Sequence, residues 1–329
     1  MCELISYGDA LAETRAEVRH VLIGNGFSRA QSEDDRFAYS SLLEKSGLPD
    51  DHPIRNVFQQ LNTVDFEAVV RALEHAALVE GAYGEDERAR ALGADATQLR
   101  EALIHAVREV HPGIRFDVPE QQQTACAEFL SNYSKVFTLN YDLLLYWVVL
   151  HGARDHHSDG FGLGEANGGF RKFSEDAHCS VYFLHGALHL FLDQQQDTEK
   201  RIVTGATIID DITDTIRTGQ RLPLFVAEGT SGQKQRKINS VPYLRYCYDQ
   251  LGELEGSLFV LGHSADENDR HVYSAIENSD VERLYFFVHE PEDNLATIRE
   301  KLAVFRERNR NVAVQYIDAA EANVWGRQA

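Results

Sequence analysis

Cysteine is scarce and unpaired in this chain. Cys2, Cys126, Cys179 and Cys247 are scattered over 329 residues without a Cys-x-x-Cys spacing, which excludes a cysteine zinc ribbon and supplies no disulfide framework. Basic charge is short as well: 32 Lys and Arg stand against 52 Asp and Glu, a formal net charge of −20. A sequence-independent nucleic-acid binder needs basic surface to displace counterions, and so does a protein that docks on anionic lipid. Direct nucleic-acid and membrane partners are therefore not expected. An anionic ligand has to be held locally, by a helix N-terminus or a small basic cluster. No apolar run approaches the roughly 18 residues of a membrane span, and the opening MCELISYGDALAETRAEV lacks a charged-then-apolar signal pattern. A cytoplasmic, reducing location is the expectation. Internal repeats and low-complexity segments are missing too, and 43% hydrophobic with 26% charged residues is a globular composition.

What the chain does have is a set of short apolar runs that end in polar residues. Arg19–Ile23 reads as a first buried strand and runs into Gly24-Asn25-Gly26-Phe27-Ser28. From Phe37 to about Tyr133 the pattern is helical: Phe66, Val69, Val70 and Leu73 share one face, and Leu99, Leu103, Ile104 and Val107 repeat the spacing. His111-Pro112-Gly113 ends one helix and Pro119 starts another. A second strand, Val136–Leu139, stops at Asn140-Tyr141-Asp142 before the apolar helix Leu143–Leu150. Further strand signals lie at 180–184, 190–192, 222–227, 257–261, 284–288 and 312–317, with helices over about 238–252, 266–278 and 292–308. Near-continuous apolar strands alternating with helices predict a Rossmann-like, mostly parallel α/β sheet covered by helices on both faces. A helical insertion of about 37–133 follows the first strand, and 1–329 reads as one domain.

In such sheets ligands bind at the carboxyl ends of the strands. Four polar clusters sit there. The Gly24–Ser28 turn has the position of a phosphate loop, although Ala30 stands where a third glycine is usual; a tight turn without ligand fits equally. Asn140 and Asp142 are unfavourable inside both strands and helices, so they mark either a site or a helix cap. His185-Gly186 follows the 180–184 run and offers a general base or a hydrogen-bonded core histidine. His185 and His189 do not make a metal pair, because Gly186 disfavours the helix that a His-Glu-x-x-His pair needs. Gly262-His263-Ser264 with Glu267-Asn268-Asp269 follows the 257–261 strand, and a capped acidic helix start is its plain reading. Glu228–Lys237 resembles a phosphate loop only in composition, since no Lys-Ser/Thr pair follows the glycine; it is a solvated loop or a local phosphate holder. The Asp155–Asp159 stretch with its two histidines reads as a surface lid.

These motifs carry a resemblance. Gly24-Asn25-Gly26-Phe27-Ser28 resembles the Gly-Ala-Gly-x-Ser loop of sirtuins, Thr138-Leu139-Asn140-Tyr141-Asp142 their Thr-Gln-Asn-x-Asp motif, His185-Gly186 their catalytic His-Gly, and Gly262-His263-Ser264 their late Gly-x-Ser loop, in the same order along the chain. The segments FTLNYDLLLYW, HGALHLF, VAEGTSGQK and LFVLGHSADEND are similar to an uncharacterised bacterial family, domain of unknown function 4917 (DUF4917). The four zinc cysteines and the Pro-Asp-Phe-Arg segment of sirtuin deacylases are missing, which makes the zinc-free bacterial sirtuin-like type the nearer likeness. That likeness implies NAD as substrate without zinc, NAD hydrolysis in anti-phage defence, and a homo-oligomer or defence partner protein. By the same carry-over Asn140 positions water and His185 accepts a proton. Thr138, Asp142, Gly186, the Gly24–Ser28 loop (Asn25, Gly26 and Phe27 included), Gly262, His263, Ser264 and Asn268 would surround the cofactor. A non-catalytic NAD or ADP-ribose sensor, and ADP-ribosyl transfer, are the alternatives.

Overall fold

A computed structural model describes residues 4–32, 42–162, 165–219, 221–226, 229–309 and 311–326. The expected start of the insertion at 37–41, and Ala227 and Glu228, lie outside the described residues. Among the described residues ten strands form: β1 Arg19–Ile23, β2 Lys135–Thr138, β3 Phe170–Lys172, β4 Val181–Phe183, β5 Gly186–Leu192, β6 Thr198–Arg201, β7 Pro223–Phe225, β8 Glu255–Leu261, β9 Asp280–Val288 and β10 Ala313–Asp318.

Six of them make one sheet in the order β10-β9-β8-β1-β2-β4, every pairing parallel. Renumbered along the chain, this is the order 3-2-1-4-5-6 of dinucleotide-binding α/β folds. The Rossmann-like expectation is met. The chain moves outward from β1 on one side, through β2 and β4, then returns to β8 on the other side. The strand order therefore reverses at β1/β8, the place where folds of this type bind ligands beyond the strands' carboxyl ends. Burial follows: Val21 to Ile23 and Leu258 to Val260 are wholly buried, with no alternation, as in a sheet covered on both faces.

Helices fill the described residues between β1 and β2. Phe66–Ala82 is capped by Asp65, whose Oδ1 accepts from the Glu67 amide at 2.9 Å, and it buries Phe66, Val69, Val70 and Leu73. Asp86–Val110 packs against it and stops before Pro112, and Glu120–Leu130 starts after Pro119. Two features were not expected. The 190–192 and 222–226 runs join a second, antiparallel sheet in the order β3-β6-β5-β7. The helix expected over about 238–252 is two helices, Ser231–Ser240 and Pro242–Gly252, because Pro242 cannot continue the first but suits the first turn of the second.

The stretch read as a surface lid is partly core. His157 is buried between Leu130 O (3.1 Å) and Ser180 Oγ (3.2 Å), and Asp159 is buried in an ion pair with Lys200 at 2.6 Å.

Candidate functional site

Three glycines bring the ends of β1 and β8 into backbone contact. A Cβ on Gly24 would lie 2.6 Å from Gly262 O, and one on Gly26 would lie 2.7 Å from Gly262 Cα. Gly262 itself has φ +68°, and a Cβ there would meet the Phe27 amide nitrogen at 2.5 Å. No other residue fits at these positions. The contact consumes donors: Gly24 N–H goes to Leu261 O and Gly26 N–H to Gly262 O, both at 2.8 Å, and Phe27 N–H to Gly24 O at 3.0 Å. A pyrophosphate at this turn would therefore have to replace bonds already made. Asn25 is half-buried at the start of the short helix Gly26–Arg29, and the Phe27 ring lies in the core on Trp325, whose indole N–H reaches Phe27 O at 2.7 Å.

Beside this junction β2 ends in a bonded cluster. Asn140 Nδ2 donates to Gly24 O at 3.1 Å and to Ser28 Oγ at 2.9 Å. Gly24 O can only accept, which fixes the amide's orientation and leaves Asn140 Oδ1 without a bond among the described residues. Ser28 Oγ–H donates to Asp142 Oδ2, and Asp142 Oδ1 accepts at 2.9 Å from the amide of Leu144, the first residue of helix Leu144–His151. Asp142 therefore holds the cluster and supports the helix start together. Thr138 Oγ1 takes the Asn140 amide (3.0 Å). From the insertion, His111 Nε2 accepts from the Leu143 amide at 3.2 Å while Nδ1 faces Val107 O at 3.1 Å. Burial pushes the Asp142 carboxyl up from its ordinary range, against the bonds from Ser28 and Leu144.

β4 and the residues after it run alongside. Leu184 N–H goes to Thr138 O at 3.0 Å and Leu188 N–H to Tyr141 O at 2.9 Å, so His185 and Gly186 lie next to the 138–141 segment. Gly186 has φ +70°, and β7 passes so close that a Cβ would sit 2.1 Å from Leu224 O. His185 faces a second polar group. Its Nε2 is 3.0 Å from His271 Nε2, and His271 Nδ1 is 3.2 Å from Ser231 Oγ. Next to them, Asp269 takes Lys234 Nζ on Oδ1 at 2.6 Å and His263 Nε2 on Oδ2 at 3.3 Å. His263 Nδ1 accepts the Ala265 amide and is met by Tyr273 OH, both at 2.9 Å, so Nε2 carries its proton.

Burial drives the His185 pKa well below the usual histidine value; Asp269 opposes this and the Lys234 ammonium adds to it. Burial likewise lowers His271, to about 4. Burial alone would raise Asp269, but the bond from His263 Nε2–H and the neighbouring Lys234 ammonium outweigh it and hold the carboxylate ionised. Both His185 and His271 are therefore neutral near pH 7, and one proton lies between their facing nitrogens. With the Nε2 proton on His185, Nδ1 is free to accept another and pass charge along His271 toward Ser231 and Asp269.

Of the residues singled out from sequence, Gly24, Gly26, Gly262, Ser28, Thr138, Asn140 and Asp142 lie in one junction, and His185, Gly186 and His263 adjoin it. Ser264 and Asn268 are not drawn in. Ser264 turns outward to Asp266 Oδ2 at 2.6 Å, and Asn268 is exposed. Its neighbour Asp269 points inward instead. The supposed phosphate loop is a capped helix start, where Thr230 and Gln233 satisfy each other. Its Lys234 holds Asp269 and its Lys237 holds Glu67 and Asp65. His271 and Tyr273 were not foreseen, and Ser231 and Lys234, singled out only within the Glu228–Lys237 stretch, serve a different role; the polar run Asp266 to His271 after a strand end was the available signal.

The family model described as Domain of unknown function (DUF4917) matches residues 21–325, from β1 through Trp325. The chain belongs to this family. Both polar clusters of this DUF4917 protein, and the tryptophan that covers its glycine turn, fall within the matched span. No curated protein matches the chain.

Proposed function

We propose that this DUF4917 protein cleaves the nicotinamide–ribose bond of NAD, with water as acceptor, to give nicotinamide, ADP-ribose and a proton. One observation carries the reading: Gly24, Ser28, Asn140 and Asp142 form a single bonded cluster at the reversal point of a dinucleotide-type strand order. The likeness of the motifs to zinc-free bacterial sirtuin-like domains is part of this proposal, and the defence role rests on that likeness alone.

In this mechanism nicotinamide leaves as a neutral molecule, so no strong general acid is needed. The bond that breaks leaves positive charge on the ribose, which the Asp142 carboxylate favours. Asn140 Oδ1 accepts from the attacking water, and His185 Nδ1 takes its proton as the new C–O bond forms. Purified protein incubated with NAD is expected to release nicotinamide, followed by chromatography. Asn140→Ala and His185→Ala should each slow release by at least ~10²-fold, the usual scale for one acid–base or positioning group. Equal turnover by both variants and the parent would remove the assignment.

A second reading has one observation in its favour: Asn140, Asp142, His185 and His271 are all buried. A cleft so closed suits a binding module that reports NAD or ADP-ribose to a partner protein or a second copy. Saturable binding by calorimetry with no nicotinamide released would select it.

A further inference from the structure

His185 was set apart from His189 as a metal pair on sequence grounds, and the fold separates them: His189 is wholly buried on the other side, stacked on Tyr146 at 4.3 Å between ring centres. What the fold supplies in its place is His271. The Nε2 atoms of His185 and His271 face each other at 3.0 Å, and an Asp269 oxygen completes a set whose donor atoms all lie within 4.8 Å of one another. We infer that His185, His271 and Asp269 form a binding site for a divalent transition ion of the zinc type.

The chemistry of the donors fits. Two imidazole nitrogens and one carboxylate suit zinc and its neighbours, whereas magnesium and calcium take mainly oxygen ligands. Two nitrogens each about 2.1 Å from an ion and held this far apart subtend roughly 90° at it, within the range of five- or six-coordinate sites. The outer partners are present as well. His271 Nδ1 faces Ser231 Oγ, which also accepts the His271 amide at 2.9 Å and so anchors this ligand's backbone and ring together. Both Asp269 oxygens accept one bond each, from Lys234 and His263, and each keeps a lone pair. Completing the set takes a turn of both rings, which now meet nearly head-on with their centres 5.3 Å apart, and of that carboxylate toward them. Lys234 is the opposing element, since its ammonium already neutralises Asp269 and repels a second cation.

An ion on His185 Nε2 leaves the proton of the ring on Nδ1. The bound form therefore has no base at that position, and metal and proton transfer exclude each other there. The metal inference does not depend on NAD chemistry, and the two can fail separately.

Full-length protein, stripped with chelator, is titrated with Zn²⁺ by calorimetry, with Mg²⁺ as control. One Zn²⁺ per chain at micromolar affinity or better is expected, and no Mg²⁺ uptake. His271→Ala should weaken Zn²⁺ at least ~10²-fold, the scale of losing one of few ligands, and His189→Ala should leave it unchanged. Lys234→Met should tighten it by about tenfold or more, because a like charge a few Å away is removed. Zinc-edge X-ray absorption on the parent protein, which needs no variant to fold, should count two imidazole nitrogens and at least one oxygen. No stoichiometric Zn²⁺ uptake, a spectrum without two imidazoles, or equal binding by His271→Ala overturns the inference. If the NAD reading also holds, added Zn²⁺ suppresses nicotinamide release; if only that reading fails, the titration and the spectrum are unchanged.

Discussion

At the residue scale, Ser28 is the hinge of the β1–β2 cluster. It is wholly buried, accepts from Asn140 and donates to Asp142. Ser28→Ala leaves an amide N–H with one partner fewer and a buried carboxylate with only the Leu144 amide. Stranding a buried polar group costs about 1–3 kcal/mol, at the upper end where charge is involved. Ser28→Ala should therefore lower unfolding free energy by roughly 2 kcal/mol in urea titration; a midpoint equal to the parent's would mean the cluster is not held together in solution. The members of this cluster could be picked out from sequence, Gly24 and Ser28 by their glycine turn, Asn140 and Asp142 because both residue types are unfavourable between two apolar elements. Its wiring could not be. Ser28 lies 112 residues from Asn140, and His111, which supports the same turn, belongs to the insertion. The joining of the histidine group was hidden for the same reason: His271 sits on the helix after β8 and Ser231 on a helix before it, 40 residues apart in sequence.

Among the elements, strands were the most readable and their partners the least. The runs at 19–23, 136–139, 257–261 and 284–288 announce themselves because a strand buried on both faces must be apolar at successive positions. β5 is apolar in the same way, yet it pairs antiparallel with β6 and β7. The deciding residue is Gly186. A chain leaving β4 at His185 turns through a left-handed glycine, and β7 then closes onto it, Val226 N–H reaching His185 O at 2.8 Å. Gly186→Ala should be far more harmful than a left-handed glycine alone implies. Gly84 has a similar φ of +83° with nothing within 4 Å of its Cβ position, so Gly84→Ala isolates the backbone term at about 1 kcal/mol. Gly186→Ala adds a Cβ that overlaps a backbone carbonyl and should cost at least about 3 kcal/mol, or prevent folding. Thermal unfolding of the two variants side by side makes the comparison. Equal losses would show that β7 does not pack over His185.

For the whole molecule two electrostatic effects oppose each other as pH falls. The net charge of −20 shrinks toward zero near the sequence pI of about 5.1, which relieves self-repulsion and favours the compact state. The buried histidines act the other way. Burial, helped by Lys135 on the neighbouring strand, lowers His20 to about 4; burial also lowers His157, and holds His189 well below the ordinary value. The unfolded chain takes up these protons near pH 6.5 while the folded chain does so only at lower pH, for His20 at about 4, so stability rises with pH across that window and is lost on acidification. For His20 alone a drop from 6.5 to about 4 amounts to roughly 3 kcal/mol, fully developed only below pH 4. The depressed carboxylates Glu67, Asp266 and Asp269 add a loss at lower pH still, as each protonates through its folded pKa. Asp142, raised by burial, has the opposite sign and is relieved as pH falls. Diffuse repulsion is screened beyond about 8 Å at physiological salt, whereas burial of an imidazole is not. The histidines should therefore win at moderate salt: the urea midpoint falls from pH 7 to pH 5, more steeply in 0.5 M than in 10 mM NaCl, and His20→Leu flattens the slope. A midpoint that rises on acidification in high salt, or a His20→Leu slope equal to the parent's, would mean that these imidazoles are not buried neutral in the folded protein.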